Sequence, residues 1–201
     1  MIIGPKYKIC KRLGSNVFEK CQTKAFANAA AAAQGDKRGK RAGSDYNRQL
    51  LEKQKLRLIY SLTERQFSSY VKKALESGEN PSQNLFESLE TRIDSIAYRM
   101  GIAQSRRAAR QIAAHGHLTV DGVRVTVPSF RVAPGSVIAV RDGSKSSALF
   151  QGLEEKMKDH KPPAWLTVDD SNLSATLTSL PAWGAQDSIV DFGAVFEYYT
   201  R

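Results

Sequence analysis

The chain has 201 residues, 30 Lys+Arg against 20 Asp+Glu, a formal net charge of +10 and 41% hydrophobic residues. That composition excludes a disordered chain, and no apolar run reaches the roughly 20 residues a membrane-spanning helix needs. Two cysteines, Cys10 and Cys21, are too few for a disulfide framework, and the opening MIIGPKYKICKRLG has no apolar signal region. A reducing cytoplasm is therefore the expected setting.

The charge is distributed unevenly. Residues 1–60 hold 14 Lys+Arg and 4 Asp+Glu, residues 61–152 hold 12 and 8, and residues 153–201 hold 4 and 8. A basic front with an acidic tail points to a polyanion partner, because neutralising phosphates with Lys or Arg releases condensed counterions. The segment QGDKRGKRAG gathers Lys37, Arg38, Lys40 and Arg41 among glycines with no bulky apolar residue, which makes a basic arm and poor material for a membrane surface.

In chain order, AFANAAAAA allows a short helix before that arm. Ser44 is placed to cap a long helix over DYNRQLLEKQKLRLIYSL, with Tyr46, Leu50, Leu51, Leu58 and Leu62 as its core stripe. Arg48, Lys53, Lys55 and Arg57 occupy its other faces. Thr63 and Gln66 have capping-box spacing and start a helix through Phe67, Tyr70, Val71 and Leu75 to Gly78. A further helix over SQNLFESLETRIDSIAYRMG aligns Leu85, Leu89, Ile93, Ile96 and Met100. Ser105 caps RRAARQIAAHG, closed by Gly116. The period then changes to two: LTVDG, VRVTV and SVIAV read as strands separated by Asp121-Gly122 and Pro134-Gly135 turns. Residues 142–161 read as polar helix, and IVDFGAVFEYY as strand or mixed structure. The class is α+β: a basic arm over 1–43, a helical domain over 44–87 completed by 172–201, and a compact module of two short helices on an antiparallel sheet over 88–171.

The informative stretch is SRRAARQIAAHGHLTVDGVR. A helix over 105–115 places Arg106, Arg107 and Arg110 at its positive end, an arrangement suited to phosphate oxygens. Ala108, Ala109, Ile112 and Ala113 form the packing face. His115 and His117 flank Gly116, where their rings can stack on an exposed base, and Arg124 follows the hairpin. A short helix beside a hairpin suits A-form RNA better than a deep major groove.

SRRAARQIAAHGHLTVDGVRV followed by PSFRVAPGSVIAV resembles the RNA-binding module of the small-subunit ribosomal protein S-four family. GPKYKICKRLG, SDYNRQLLEKQKLRLIYSLTERQF, NLFESLETRIDSIAYRMGIAQSRR and PPAWLTVD extend the resemblance in the same order over nearly the whole chain. The resemblance implies a non-enzymatic constituent of the cytoplasmic ribosome that binds 16S-type rRNA early in assembly. It also implies a place beside the S-five protein near the path by which mRNA enters, with an influence on decoding accuracy. Arg92, Arg106, Arg107, Arg110, His115, His117 and Arg124 match the module's motif positions. Lys6, Lys8, Lys11 and Arg12 in GPKYKICKRLG join the arm and the long helix as candidate rRNA contacts. Some family members hold zinc with four N-terminal cysteines; two thiolates eleven residues apart do not make such a site, so no metal and no cofactor is predicted. The turn reads Asp121-Gly122 where the family usually has Asn-Gly. An RNA-modifying enzyme or rescue factor that borrowed the module is the competing reading, but neither the 49 residues after 152 nor the basic helices before the module could house a catalytic domain. Asp169-Asp170 reads as a solvated acidic pair.

Overall fold

The computed structural model describes residues 3–14, 17–24, 26, 28, 44–153, 157, 160–184 and 190–201. Among them are helices α1 (Lys6–Leu13), α2 (Asp45–Ile59), α3 (Glu64–Glu76), α4 (Pro81–Glu90), α5 (Ile93–Arg99) and α6 (Arg106–Ala114). Strands β1 (Leu118–Val120), β2 (Val123–Val125) and β3 (Val137–Val140) follow, then the one-turn helix α7 (Asp142–Lys145), strands β4 (Leu166–Asp169) and β5 (Ser174–Leu177), and helix α8 (Phe192–Thr200). This is the α+β class expected from the sequence. The chain divides into two units, residues 1–82 with 184–201, and residues 83–183. The second boundary therefore falls at 184 rather than 172, because β5 completes the sheet instead of joining the helical unit.

In the first unit the capping signals act as their chemistry requires. Ser44 Oγ accepts from the Asn47 N–H, and Thr63 and Gln66 form a reciprocal capping box. Of the predicted stripe, Leu58 and Leu62 are buried, Leu50 and Leu51 are half-buried and Tyr46 is exposed, while Gln49, Lys53 and Leu56 turn inward beside them. Two polar side chains can be buried there because partners wait for them, Glu197 accepting from Gln49 Nε2 at 2.7 Å and Glu64 from Lys53 Nζ at 2.8 Å. α8 is helical where its aromatic and β-branched residues read as strand or mixed structure. Asp191 Oδ1 accepts from the Ala194 N–H at its start, and packing against α2 and α3 buries Phe192, Ala194 and Val195. Tertiary burial outweighs the local β preference of those residue types.

In the second unit the expected helix over 82–101 is two helices. The Val132 N–H donates to the Thr91 carbonyl and the Ile93 N–H to the Phe130 carbonyl, both at 2.9 Å, so the backbone at 91–93 is drawn into a short bridge between Arg92 and Arg131. The predicted apolar positions Leu85, Leu89, Ile93, Ile96 and Met100 are nonetheless all fully buried. The sheet runs β2-β1-β3-β5-β4, all antiparallel. At the β1–β2 turn Asp121 and Gly122 both have positive φ, the requirement of a tight two-residue hairpin. Asp121 does more than turn the chain: its Oδ1 accepts from the Val137 N–H at 2.8 Å and ties the hairpin to β3. Strands β4 and β5 are not among those the period-two pattern marks; Asp169 closes the turn between them by accepting from Ser171 and Asn172. In the expected polar helix over 142–161, the described residues hold the one-turn α7, the turns that follow it, and helical backbone again at Leu153 and Met157.

Candidate nucleic-acid interface

The predicted cluster of Arg106, Arg107 and Arg110 is split by the helix that carries it. Arg106 and Arg110 lie one turn apart and face inward, while Arg107 is exposed. Fully buried Glu90 accepts from Arg99 Nε and Nη2 at 3.0 and 2.8 Å and from Arg106 Nη2 at 2.8 Å. One step along, Asp94 accepts from Arg92 Nε and Nη2 at 2.9 and 2.7 Å and from Arg110 Nε at 3.0 Å. Two carboxylates four residues apart thus meet two arginines four residues apart, giving two Arg–carboxylate–Arg triads. The Arg106 guanidinium also lies over the Tyr98 ring, 4.9 Å from its centroid. Arg92 and Arg106 are 3% and 8% exposed, which corrects their expected place on a phosphate-facing surface: low-dielectric burial commits them to internal partners. Arg110 is intermediate, its side chain 25% exposed, so each triad carries one surplus positive charge toward its more open arginine.

The outward face of α6 carries Arg107, Gln111 and His115 at four-residue spacing. Beyond its C-terminus, Arg124 of β2 folds back so that Nε donates to the Gly116 carbonyl at 3.1 Å and Nη2 to the His115 carbonyl at 3.2 Å. A cation satisfying the last carbonyls opposes the negative end of the helix dipole. Gly116 makes this approach possible. Its φ is +72°, and a Cβ there would lie 2.4 Å from Arg124 Nε. Gly116→Ala is expected to expel the guanidinium and impose left-handed strain, costing about 1–3 kcal/mol. Urea unfolding should show that adding Arg124→Gln to that background costs little more, since the cap is already gone.

His115 and His117 lie 6.1 Å apart between ring centroids and 20° from parallel, as the flanking positions around Gly116 suggest. His117 Nδ1 is 3.0 Å from Ser144 Oγ, and its ring meets Phe150 edge-on. Burial, then the charges of His115, Arg141 and Arg124, lower its pKa below the ordinary histidine value. Neutral in the fold, His117 contributes stability that is complete above its unfolded value near pH 6.5 and lost as pH falls through the lower folded value. Arg141 and Gln111 are the residues sequence reasoning passed over here. Gln111 was legible, one turn beyond Arg107.

In the first unit, Lys8, Lys11 and Arg12 share one exposed face of α1, with Cys10 and Leu13 buried opposite, and Lys6 is half-buried with its Nζ 5.7 Å from the Phe18 ring centroid. The cations of α2 are engaged within their own unit. Lys53 is buried between Glu64 and the Tyr198 ring, and Lys55 pairs with Glu52. Arg57 lies 3.5 Å from Glu64, and Arg48 3.8 Å from Asp191. Lys53 is thereby corrected from phosphate ligand to internal partner. Lys37, Arg38, Lys40 and Arg41 lie outside the described residues. Glu64 is raised by burial but lowered further by hydrogen bonds from Lys53 and Tyr199 and by the charges of Lys53 and Arg57, ending below the ordinary carboxylate value. Its contribution is full above the unfolded value near pH 4.3 and falls away as pH drops through the folded one. Glu64→Gln should therefore lower stability at pH 6 and narrow the gap to wild type at pH 3, read by urea midpoints.

Cys10 and Cys21 are both buried in one cluster with Leu13, Phe18 and Phe26. Burial, then the hydrogen bond and charge of Cys10, push the Cys21 thiol up to about 12. Zinc takes thiolates, and among the described residues no group of three or more His, Cys, Asp or Glu stands ready to hold a metal. The donor set does not fit that zinc site, and the two thiols serve as small apolar packing groups.

An Arg-rich helix running into the β1–β2 hairpin of a five-stranded antiparallel sheet, with basic residues left on its outer face, defines an RNA-binding module of the ribosomal S4 type. Residues 1–90 match the family described as Ribosomal protein S4/S9 N-terminal domain, and residues 91–138 match the S4 domain. The chain is 39% identical over 203 residues to small ribosomal subunit protein uS4 of Pelotomaculum thermopropionicum, covering 98% of both chains. It is 38% identical over 205 residues to uS4 of Pseudothermotoga lettingae and 39% over 201 to uS4 of Ligilactobacillus salivarius, again covering 98% of each. The chain belongs to the small ribosomal subunit protein uS4 family. It is a structural, non-enzymatic constituent of the small subunit of the cytoplasmic ribosome.

Proposed function

We propose that this chain binds 16S-type rRNA directly and early, without other proteins, and so nucleates folding of the body of the small subunit. The carrying observation is the sorting of cations: those of the triads are engaged inside, while Lys8, Lys11, Arg12, Arg107 and Arg124 remain at the surface. Fixed exposed guanidiniums beside a capped helix suit the phosphates and shape of folded RNA, and the residual charge of each triad adds to the field there. The basic arm at 37–41 supplies further phosphate contacts. The same proposal extends, on the family resemblance, to a neighbour such as S-five, the approach of mRNA and an effect on decoding accuracy; the acidic tail residues Asp191 and Glu197 do not face a partner as bare charges, since Arg48 and Gln49 engage them. Purified chain added to protein-free small-subunit rRNA should form a one-to-one complex on a sucrose gradient that survives a moderate-salt wash. A complex that forms only after other subunit proteins have bound would contradict an early role.

A further inference from the structure

Beside the two histidines lies a concavity of about 280 Å³, lined by Ala108, Gln111, Ile112, His115, His117 and Leu149. Three of these walls are aliphatic, two are imidazole rings, and one is an amide able to donate and accept. Leu149, in the turn after α7, is 54% exposed and offers its side chain as one open apolar wall. The volume is below that of a drug-sized ligand pocket and admits one flat group. The rim is cationic: Arg107 stands one turn before Gln111 on α6, and Arg124 caps the same helix. Apolar walls and ring faces for a planar group, an amide for its edge and guanidiniums for an attached phosphate together describe a nucleotide.

We propose that this concavity receives a single unstacked nucleobase of the bound RNA, held against His115, His117 and Leu149, with Gln111 reading its edge and Arg107 and Arg124 holding the flanking phosphates. The inference rests on the rRNA-binding reading and adds to it a base-specific contact. Bases splayed from loops and bulges are commonly stacked on aromatic side chains in this way. An apolar side chain of a protein neighbour would use the aliphatic walls but would leave the cationic rim and the Gln111 amide without purpose.

The test uses the full chain and a transcript of the small-subunit rRNA 5′ domain. Gln111→Ala and Leu149→Ala alter exposed side chains and should fold normally by circular dichroism. Each is expected to weaken binding about tenfold with an unchanged salt slope, because stacking and edge contacts involve no counterion release. Chemical probing of the bases should then show one unpaired base protected by wild type and left reactive with either variant. Unchanged affinity and unchanged base reactivity, while Arg107→Gln still flattens the salt slope, would overturn the base pocket and leave rRNA binding standing. Loss of retention only in assembled subunits would assign the pocket to a protein and equally overturn the proposal. If Arg107→Gln and both pocket variants all bind like wild type, the underlying reading of this surface fails as well.

Discussion

Glu90→Ala is expected to destabilise the second unit by about 3–5 kcal/mol, because it strips the shared carboxylate from Arg99 and from an Arg106 that is 8% exposed. The charge left behind cannot reach water without dragging α6 from its seat, where Ala109 and Ala113 are fully buried. A buried ion triad is poor proof of net stability against an apolar replacement, yet breaking one partner out of it is costly. The two halves of that statement are separable. Glu90→Ala with Arg106→Ala should cost less than the sum of the two single changes, with a coupling of about 0.5–3 kcal/mol from urea unfolding. Additive costs would mean that the triad is held by packing and that its charges do not interact.

Phe67→Ala in α3 should cost a similar amount, about 3–5 kcal/mol, by a different mechanism. Phe67 is fully buried and its ring lies 6.1 Å from that of Tyr199 on α8, so truncation leaves a cavity walled by a helix that cannot simply close in. Tyr199 is itself pinned, its hydroxyl donating to Glu64 Oε1 at 2.8 Å while its pKa is pushed upward by burial and then by Glu64. Phe67→Leu, keeping much of the volume, should recover most of the loss. Equal destabilisation by Leu and Ala would show that ring geometry, not volume, decides the packing.

The legible parts of this protein are those governed by local chemistry. Ser44, Thr63 with Gln66, and Ser105 cap helices because their hydroxyls accept from N–H groups three residues on. The stripe from Leu85 to Met100 is buried because its spacing matches a helical turn, even though the helix itself breaks at Thr91. Gly116 and the Asp121-Gly122 turn are readable from the backbone conformations that only such residues adopt cheaply. What escapes depends on partners far along the chain. Arg106 and Arg110 look like neighbours of Arg107 in sequence, and their inward fate is decided by Glu90 and Asp94. The matching four-residue spacing is present in the sequence, but nothing local shows that the two pairs meet. Lys53 is the same case, a lysine buried because Glu64 and Tyr198 surround it. Helix α8 reads as strand or mixed structure because Phe, Val and Tyr favour strands unless a neighbouring helix offers them a groove.

The central claim is that exposed cations carry RNA binding and buried ones do not. The direct measurement is the salt dependence of affinity for protein-free small-subunit rRNA, compared among wild type, Arg107→Gln, and the combined Lys8→Gln, Lys11→Gln, Arg12→Gln variant. Removing one cation that neutralises a phosphate should reduce the log–log slope by about 0.7–0.9, so Arg107→Gln lowers it by roughly one such step and the triple variant by two to three. Slopes equal to wild type in both would contradict the account.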